Sequence, residues 1–294
     1  MATDPRALTV VSDLRRFRAS SYLVKVPRIL YQVLCALADD DDDELLCLVV
    51  FDTRISSATL NAVFRELLFQ RHWPLVELML ENPRVNPTQG VLLKEAAASN
   101  RVELVHRLLD DERCATQRHH LLTGAVLGDR VELVKFLLSD PRIDATSQVL
   151  QLACQYRASV EVVQLLLADP RIDPSQCYPP AICTAASNCG TDVVDLLLAD
   201  PRVDPTVCTN EPLYKAVKHN DVAMTRRLLQ DPRVNATVPL LRVIGYHPML
   251  SEAACLALAD ERTDSARVHK DMQKKWGPDA LASVLGECAA RGFL

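Results

Sequence analysis

Glycine is scarce in this chain, with only eight among 294 residues. Neither a phosphate-cradling glycine loop nor a G-x-S-x-G nucleophile elbow is present. Aromatic residues make up 5% of the chain while hydrophobic ones make up 49%, so any core must be built from leucine, valine and alanine. No apolar run approaches the eighteen or so residues that a membrane span needs. Acidic residues outnumber basic ones, 38 to 33, for a net charge of −5, which leaves no electrostatic footprint for wrapping nucleic acid. No cysteine pair is spaced two to four residues apart, as structural zinc sites usually require, and no paired-carboxylate signature is found. Residues 1–25 lack the apolar segment of a secretory signal.

What the chain does have is one phrase, repeated. VELVKFLLSDPRIDA at residues 131–145 recurs as VEVVQLLLADPRIDP at 160–174, as TDVVDLLLADPRVDP at 191–205, and more loosely as VELVHRLLDDERCA at 102–115. The register arginines Arg84, Arg113, Arg142, Arg171, Arg202 and Arg233 are separated by 29, 29, 29, 31 and 31 residues, with weaker marks at Arg54 and Arg262. A period of this length, sustained over most of the chain, specifies a stack of similar units rather than separate globular domains.

Within one unit, Leu133, Val134, Leu137 and Leu138 follow a helical rhythm, with Lys135 and Ser139 pointing away. Asp140-Pro141 ends that helix, because the residue before proline is pushed out of the α region and proline has no amide to donate. Arg142 is expected to complement the dipole of the helix just ended, and Asp144 to bond neighbouring backbone amides. A shorter apolar run precedes each such helix, as in VLLKEAAAS at 91–99. Each unit therefore reads as helix, tight turn, helix, loop.

LLLADPRVDP at 196–205 resembles the close of an ankyrin repeat, and Glu211-Pro212-Leu213-Tyr214-Lys215-Ala216-Val217 resembles the family's T-P-L-H-x-A-A opening. Asn100 and Asn220 occupy the inter-helix turn where that family prefers glycine, and asparagine tolerates the left-handed backbone there. The style is similar to ankyrin families of amoebae, chytrid fungi and giant DNA viruses. No unit carries a full T-P-L-H, and units of 29 residues fall short of the family's usual 33. The resemblance implies an all-α, ankyrin-like solenoid of about eight stacked helix-turn-helix repeats with short or absent β-hairpin fingers.

The expected organisation is an arm or capping segment at 1–27, repeats over 28–265, and capping helices over 266–294. Glu44 and its neighbours continue an acidic run from Asp39 that lacks the glycine and spacers of a calcium loop, so it reads as an ordinary acidic helix start. Residues 26–46 also loosely resemble an F-box, opening on Val26-Pro27 and closing on Glu44-Leu45-Leu46. That gives an alternative role as a substrate adaptor of a ubiquitin ligase. Trp73 precedes Pro74 as a core or staple residue, Gly245 to Pro248 lengthen one inter-helix turn, and Pro278 starts a last helix.

Little chemistry is on offer. Adjacent His119 and His120 have no partner at metal-ligand spacing, and Cys177, Cys183, Cys189 and Cys208 are too widely spaced for a zinc site. The cysteines are expected to be reduced, with Cys47, Cys154, Cys183 and Cys255 at core positions in a cytoplasmic protein. A nuclear location, or the host cytoplasm for a viral chain, is the alternative. The expectation is a non-enzymatic module without cofactor or metal, monomeric by itself, binding a partner protein and neither nucleic acid nor membrane. A structural subunit of a larger assembly is a further alternative. The expected contact surface is the concave face: Thr88, Gln89, Lys94, Glu95, Gln117, Arg118 and His119, then Gln148, Gln151, Tyr178, Glu211, Tyr214, Lys215 and Lys218.

Overall fold

Leu133, Val134 and Leu137 are buried, Leu138 is half-buried, and Lys135 and Ser139 are exposed, so the helical rhythm of the repeat is an amphipathic face. The structure, a computed structural model, describes residues 27–39, 43–88, 90–244, 251–290 and 292. The expected arm before Pro27, most of the acidic run (Asp40, Asp41, Asp42), Gln89 and the long turn at 245–248 lie outside the described residues.

The backbone forms two compact units, Met1–Leu121 and Leu122–Leu294. In the first, α1 (Pro27–Asp39) pairs with α2 (Asp43–Val50), α3 (Ser57–Phe69) with α4 (Trp73–Leu80), and α5 (Gly90–Ala98) with α6 (Val102–Asp110). The first helix of each pair is the inner one and the second the outer; α1 packs on α3 and α2 on α4. The boundary between the units falls within α7 (His119–Leu127).

In the second unit the outer helix α8 (Val131–Ser139) is followed by four inner-outer pairs. These are α9 (Ser147–Gln155) with α10 (Val160–Ala168), α11 (Ala181–Asn188) with α12 (Thr191–Ala199), α13 (Val207–Lys218) with α14 (Val222–Leu229), and α15 (Thr237–Ile244) with α16 (Glu252–Leu258). A terminal pair, α17 (Ser265–Trp276) and α18 (Pro278–Ala290), closes the series. Inner helices stack on inner ones from α9 through α17, and outer on outer from α8 through α16. No strand occurs among the described residues, so the stack is all-α and the fingers are plain loops.

The register arginines explain the repeat. Arg171 grips the Asp169 carboxylate through Nε (3.0 Å) and Nη2 (2.6 Å), then reaches back one period to the carbonyls of Ile143 (2.9 Å) and Leu138 (2.7 Å). Arg202 repeats this with Asp200, Ile172 and Leu167, and Arg113 with Asp111, Val85 and Leu80. Leu138, Leu167 and Leu80 lie in the last turns of outer helices, whose final carbonyls have no partner inside the helix. The expectation that the arginine complements its own helix is therefore corrected in these units. The guanidinium caps the outer helix of the preceding unit and is held in place by the aspartate two residues before it.

Other links follow the same period. Asn82 stands where later units have aspartate, and its Nδ2 donates to Val50 O at 2.7 Å. Side chains near inner-helix starts accept backbone amides from the next loop: Asn61 from Asn86 (2.7 Å), Ser147 from Asp173 (3.1 Å) and Thr237 from Asp264 (2.9 Å). In several loops the second acidic or amide residue accepts the amide two residues on, as Asp173 does from Ser175 and Asp204 from Thr206.

The inter-helix turns are left-handed as expected, with φ of 56° at both Asn100 and Asn220, and Arg71 (58°), Asp129 (53°) and Arg157 (60°) do the same. After Asn100 the amide of Arg101 reaches back to Ala96 O, and after Asn220 that of Asp221 to Ala216 O, the six-to-one bond that closes a helix end. Asn220 Oδ1 also accepts the amide of Ala253 in the next unit, and Asp129 that of Ser159.

Two expectations about cysteine are corrected. Cys47 is exposed rather than buried. Cys255 is not a free thiol but is joined to Cys288, tying α16 to α18 across a Cα separation of 5.6 Å. The two lie 33 residues apart, about one period, which is the separation at which this fold brings residues together.

Candidate interaction surface

In the first unit, α5 and the start of α7 carry the expected polar residues. Lys94, Glu95, Gln117, Arg118 and His119 are all half-buried. Arg71 Nη2 pairs with Glu95 at 2.9 Å, and Arg118 Nε donates to Leu109 O at 2.9 Å, so Arg118 is spent largely on capping α6. The His119 and His120 rings lie 4.0 Å apart. His120 packs against Gly90 so closely that a β-carbon there would come within 2.5 Å of the imidazole. Burial, then His119, then Lys94 hold the His120 imidazole below its usual pKa. Thr88 is folded into its own loop, donating through Oγ1 to Asn86 at 2.5 Å.

A cleft of about 490 Å³ lies on the inner helices of this unit, lined by Pro27, Arg28, Tyr31, Gln32, Glu66 and Gln70 among others. Burial pushes the Tyr31 phenol up to about 12, with a hydrogen bond to Cys35 the next cause. The sequence reading did not find this cleft, because α1 carries no repeat phrase to set its register.

In the second unit Gln148 is exposed and Gln151 half-buried on α9, and Tyr178 projects from the loop before α11 with 89% of its surface exposed. Four more of the expected residues lie on α13, beside α15. Tyr214, expected as an exposed anchor, is instead 8% exposed, because the Arg242 guanidinium covers its ring at 3.8 Å. Glu211 fixes that guanidinium at 2.6 Å, and the Lys218 ammonium lies 5.8 Å from the same ring. Lys215 Nζ donates to Cys183 O at 3.2 Å, tying α13 to α11. Glu211, Tyr214, Lys215 and Lys218 thus come together, with Arg242 as the member the sequence reading missed. Its signal was positional: Arg242 lies one period after Glu211, 31 residues on.

The start of α13 is itself unusual. Cys208, Thr209 and Asn210 all wind left-handed, with φ of 51°, 62° and 60°, before the right-handed helix resumes at Glu211 and Pro212. Each such residue costs roughly 1–2 kcal/mol, so the packing of α13 on α11 and α15 must offset several kcal/mol of backbone strain.

Among the described residues no group of three or more histidine, cysteine, aspartate or glutamate side chains is arranged to hold a metal ion, and no helix is long and apolar enough to cross a membrane. Cys189 lies against Cys154, and Cys177 and Cys183 are buried.

No curated protein and no solved structure matches the chain. A family model of ankyrin repeats, three copies in tandem, matches residues 150–239. That span runs from within α9 to within α15 and includes the surface around Tyr214. Modules of this family generally mediate protein–protein interaction. With three repeats matched there, residues 150–239 are similar to ankyrin repeats, and the stacked inner-outer helix pairs elsewhere in the chain are consistent with the same architecture.

Proposed function

We propose that the chain is a non-enzymatic interaction module that binds a partner protein on its inner-helix surface, with the α13–α15 cluster of the second unit as the principal contact. The observation that carries this reading is the Glu211–Arg242–Tyr214 arrangement. An arginine stacked on a buried tyrosine and fixed by a carboxylate presents a rigid, half-exposed guanidinium, and arginine and tyrosine dominate the energetics of protein interfaces. The register arginines of the loops, by contrast, are committed to Asp169, Asp200 and the preceding helix ends. Lys215, Lys218 and the exposed Tyr178 extend the surface, and Lys94 and Glu95 contribute a second area on the first unit. A monomer is the free state we propose.

The test is a crosslinking pull-down from native lysate. Full-length protein is compared with a variant carrying Lys215→Glu, Lys218→Glu and Arg242→Ala, after matched thermal unfolding shows both to be folded. Loss of the crosslinked partner from the variant supports the reading. A partner retained by the variant and held through residues 1–60 would replace it with the ligase-adaptor alternative, and recovery only in a fixed-stoichiometry particle would replace it with the structural-subunit alternative.

A further inference from the structure

Cys154 and Cys189 stand about one period apart, 35 residues, as the bonded pair Cys255 and Cys288 does at 33. Cys154 lies in the last turn of α9 and is fully buried, while Cys189 caps the end of α11 and is half-buried. Cys189 stands at the register of Asn100, Asp129 and Asn220, but its backbone is extended, with φ of −99°. That turns its side chain toward the preceding unit, and its Sγ donates to Cys154 O at 3.1 Å.

We propose that Cys154 and Cys189 are a peroxide-sensitive dithiol, which closes a disulfide between the end of α9 and the end of α11 and so staples two neighbouring ankyrin repeats. The roles follow from the surroundings. Cys189 is the member that a small oxidant can reach. The hydrogen bond from Cys154, followed by the positive charge of Arg157, holds the Cys189 thiol below its ordinary pKa, whereas the hydrogen bond with Cys189 and then burial raise that of Cys154. The thiolate is the nucleophile in thiol oxidation, so Cys189 reacts first. Its sulfur attacks one oxygen of a hydroperoxide, breaking the O–O bond; the sulfur is oxidised to the sulfenic acid and the other oxygen leaves as water or alcohol after taking a proton. The Cys154 sulfur then attacks the sulfenic sulfur, the S–O bond breaks, and the hydroxyl leaves as water with the Cys154 proton. The peroxide is reduced by two electrons and one S–S bond is formed. The inference does not depend on what the inner-helix surface binds.

The experiment uses the full chain with Cys255–Cys288 intact, treated with one equivalent of hydrogen peroxide. Remaining thiols are capped with N-ethylmaleimide, and the protein is digested without reduction for mass spectrometry. A peptide pair linked through Cys154 and Cys189 and lighter by two hydrogens is expected, with Cys177, Cys183 and Cys114 recovered as capped thiols. In Cys154→Ala, confirmed as folded by circular dichroism, Cys189 should persist as a sulfenic acid trapped by dimedone. The proposal is overturned if wild-type Cys189 stays reduced, or is oxidised to the sulfinic acid with no link to Cys154. Because wild type alone decides that point, misfolding of the variant would not rescue the proposal.

Discussion

In the units of Arg113, Arg171 and Arg202 a single arginine joins three things: the aspartate two residues before it, the loop carbonyl of the previous unit and the open end of that unit's outer helix. Lysine can satisfy only part of this, because a compact ammonium lacks the planar fork that meets carboxylate and carbonyls together. Arg171→Lys is therefore expected to lower stability by about 1.5–3 kcal/mol, the range for hydrogen bonds involving charged groups, read as a fall in urea midpoint at unchanged slope. Asp169, Asp200, Asp231 and Asp260 are all held below the usual carboxylate pKa, chiefly by the side-chain hydrogen bond from their arginines. A depressed folded-state pKa gives stability that is present above the unfolded value near 3.9 and lost as pH falls through the folded value. Thermal melts should therefore be flat from about pH 7 to 5 and fall steeply below about pH 4, and Asp169→Asn should soften that fall. The register of these residues was legible in the sequence, but their partners were not. A cation after a helix end has a local explanation, and only the stacking shows that it serves the helix one period earlier.

At the scale of the element, the left-handed turns were read correctly from Asn100 and Asn220 because the chemistry is local. Arg71 and Arg157 were missed because arginine does not advertise that conformation, and Asp129 because only the asparagines were compared with the glycine of that turn, although aspartate tolerates it too. Asn100→Val is expected to cost about 1–2 kcal/mol in chemical unfolding, since a β-branched residue pays the full left-handed penalty. At the α13 entry, Thr209→Gly should raise stability by about 0.5–1 kcal/mol, the relieved strain less the added chain entropy. The Cys255–Cys288 bond closes a loop of 33 residues, and Cys255→Ala with Cys288→Ala should lose about 3–4 kcal/mol by differential unfolding under non-oxidising conditions. Closeness in sequence is a poor guide to which cysteines meet in this fold. In a repeat stack the relevant separation is one period, so a search at 29 to 35 residues would have found both Cys255–Cys288 and Cys154–Cys189.

For the molecule as a whole, the repeat was enough to read an all-α stack of helix pairs with short or absent β-hairpin fingers, and no strand occurs among the described residues, since these features are set by patterning along the chain. The surface was only half legible. That Glu211, Tyr214, Lys215 and Lys218 lie together was legible because they share one helix, but the burial of Tyr214 depends on Arg242 from the next inner helix, and local sequence does not report it. The cleft beside Tyr31 escaped because α1 lies outside the phrase that sets the register. On the proposed function, a protein partner lies across the inner helices. Hydrogen exchange of the full chain, alone and saturated with the partner recovered by crosslinking, tests it most directly. Slower exchange in α13, α15 and the loop bearing Tyr178, with the outer helices α12 and α14 unchanged, is the predicted result. Slowing confined to outer helices, or to α1 and α2, would contradict it.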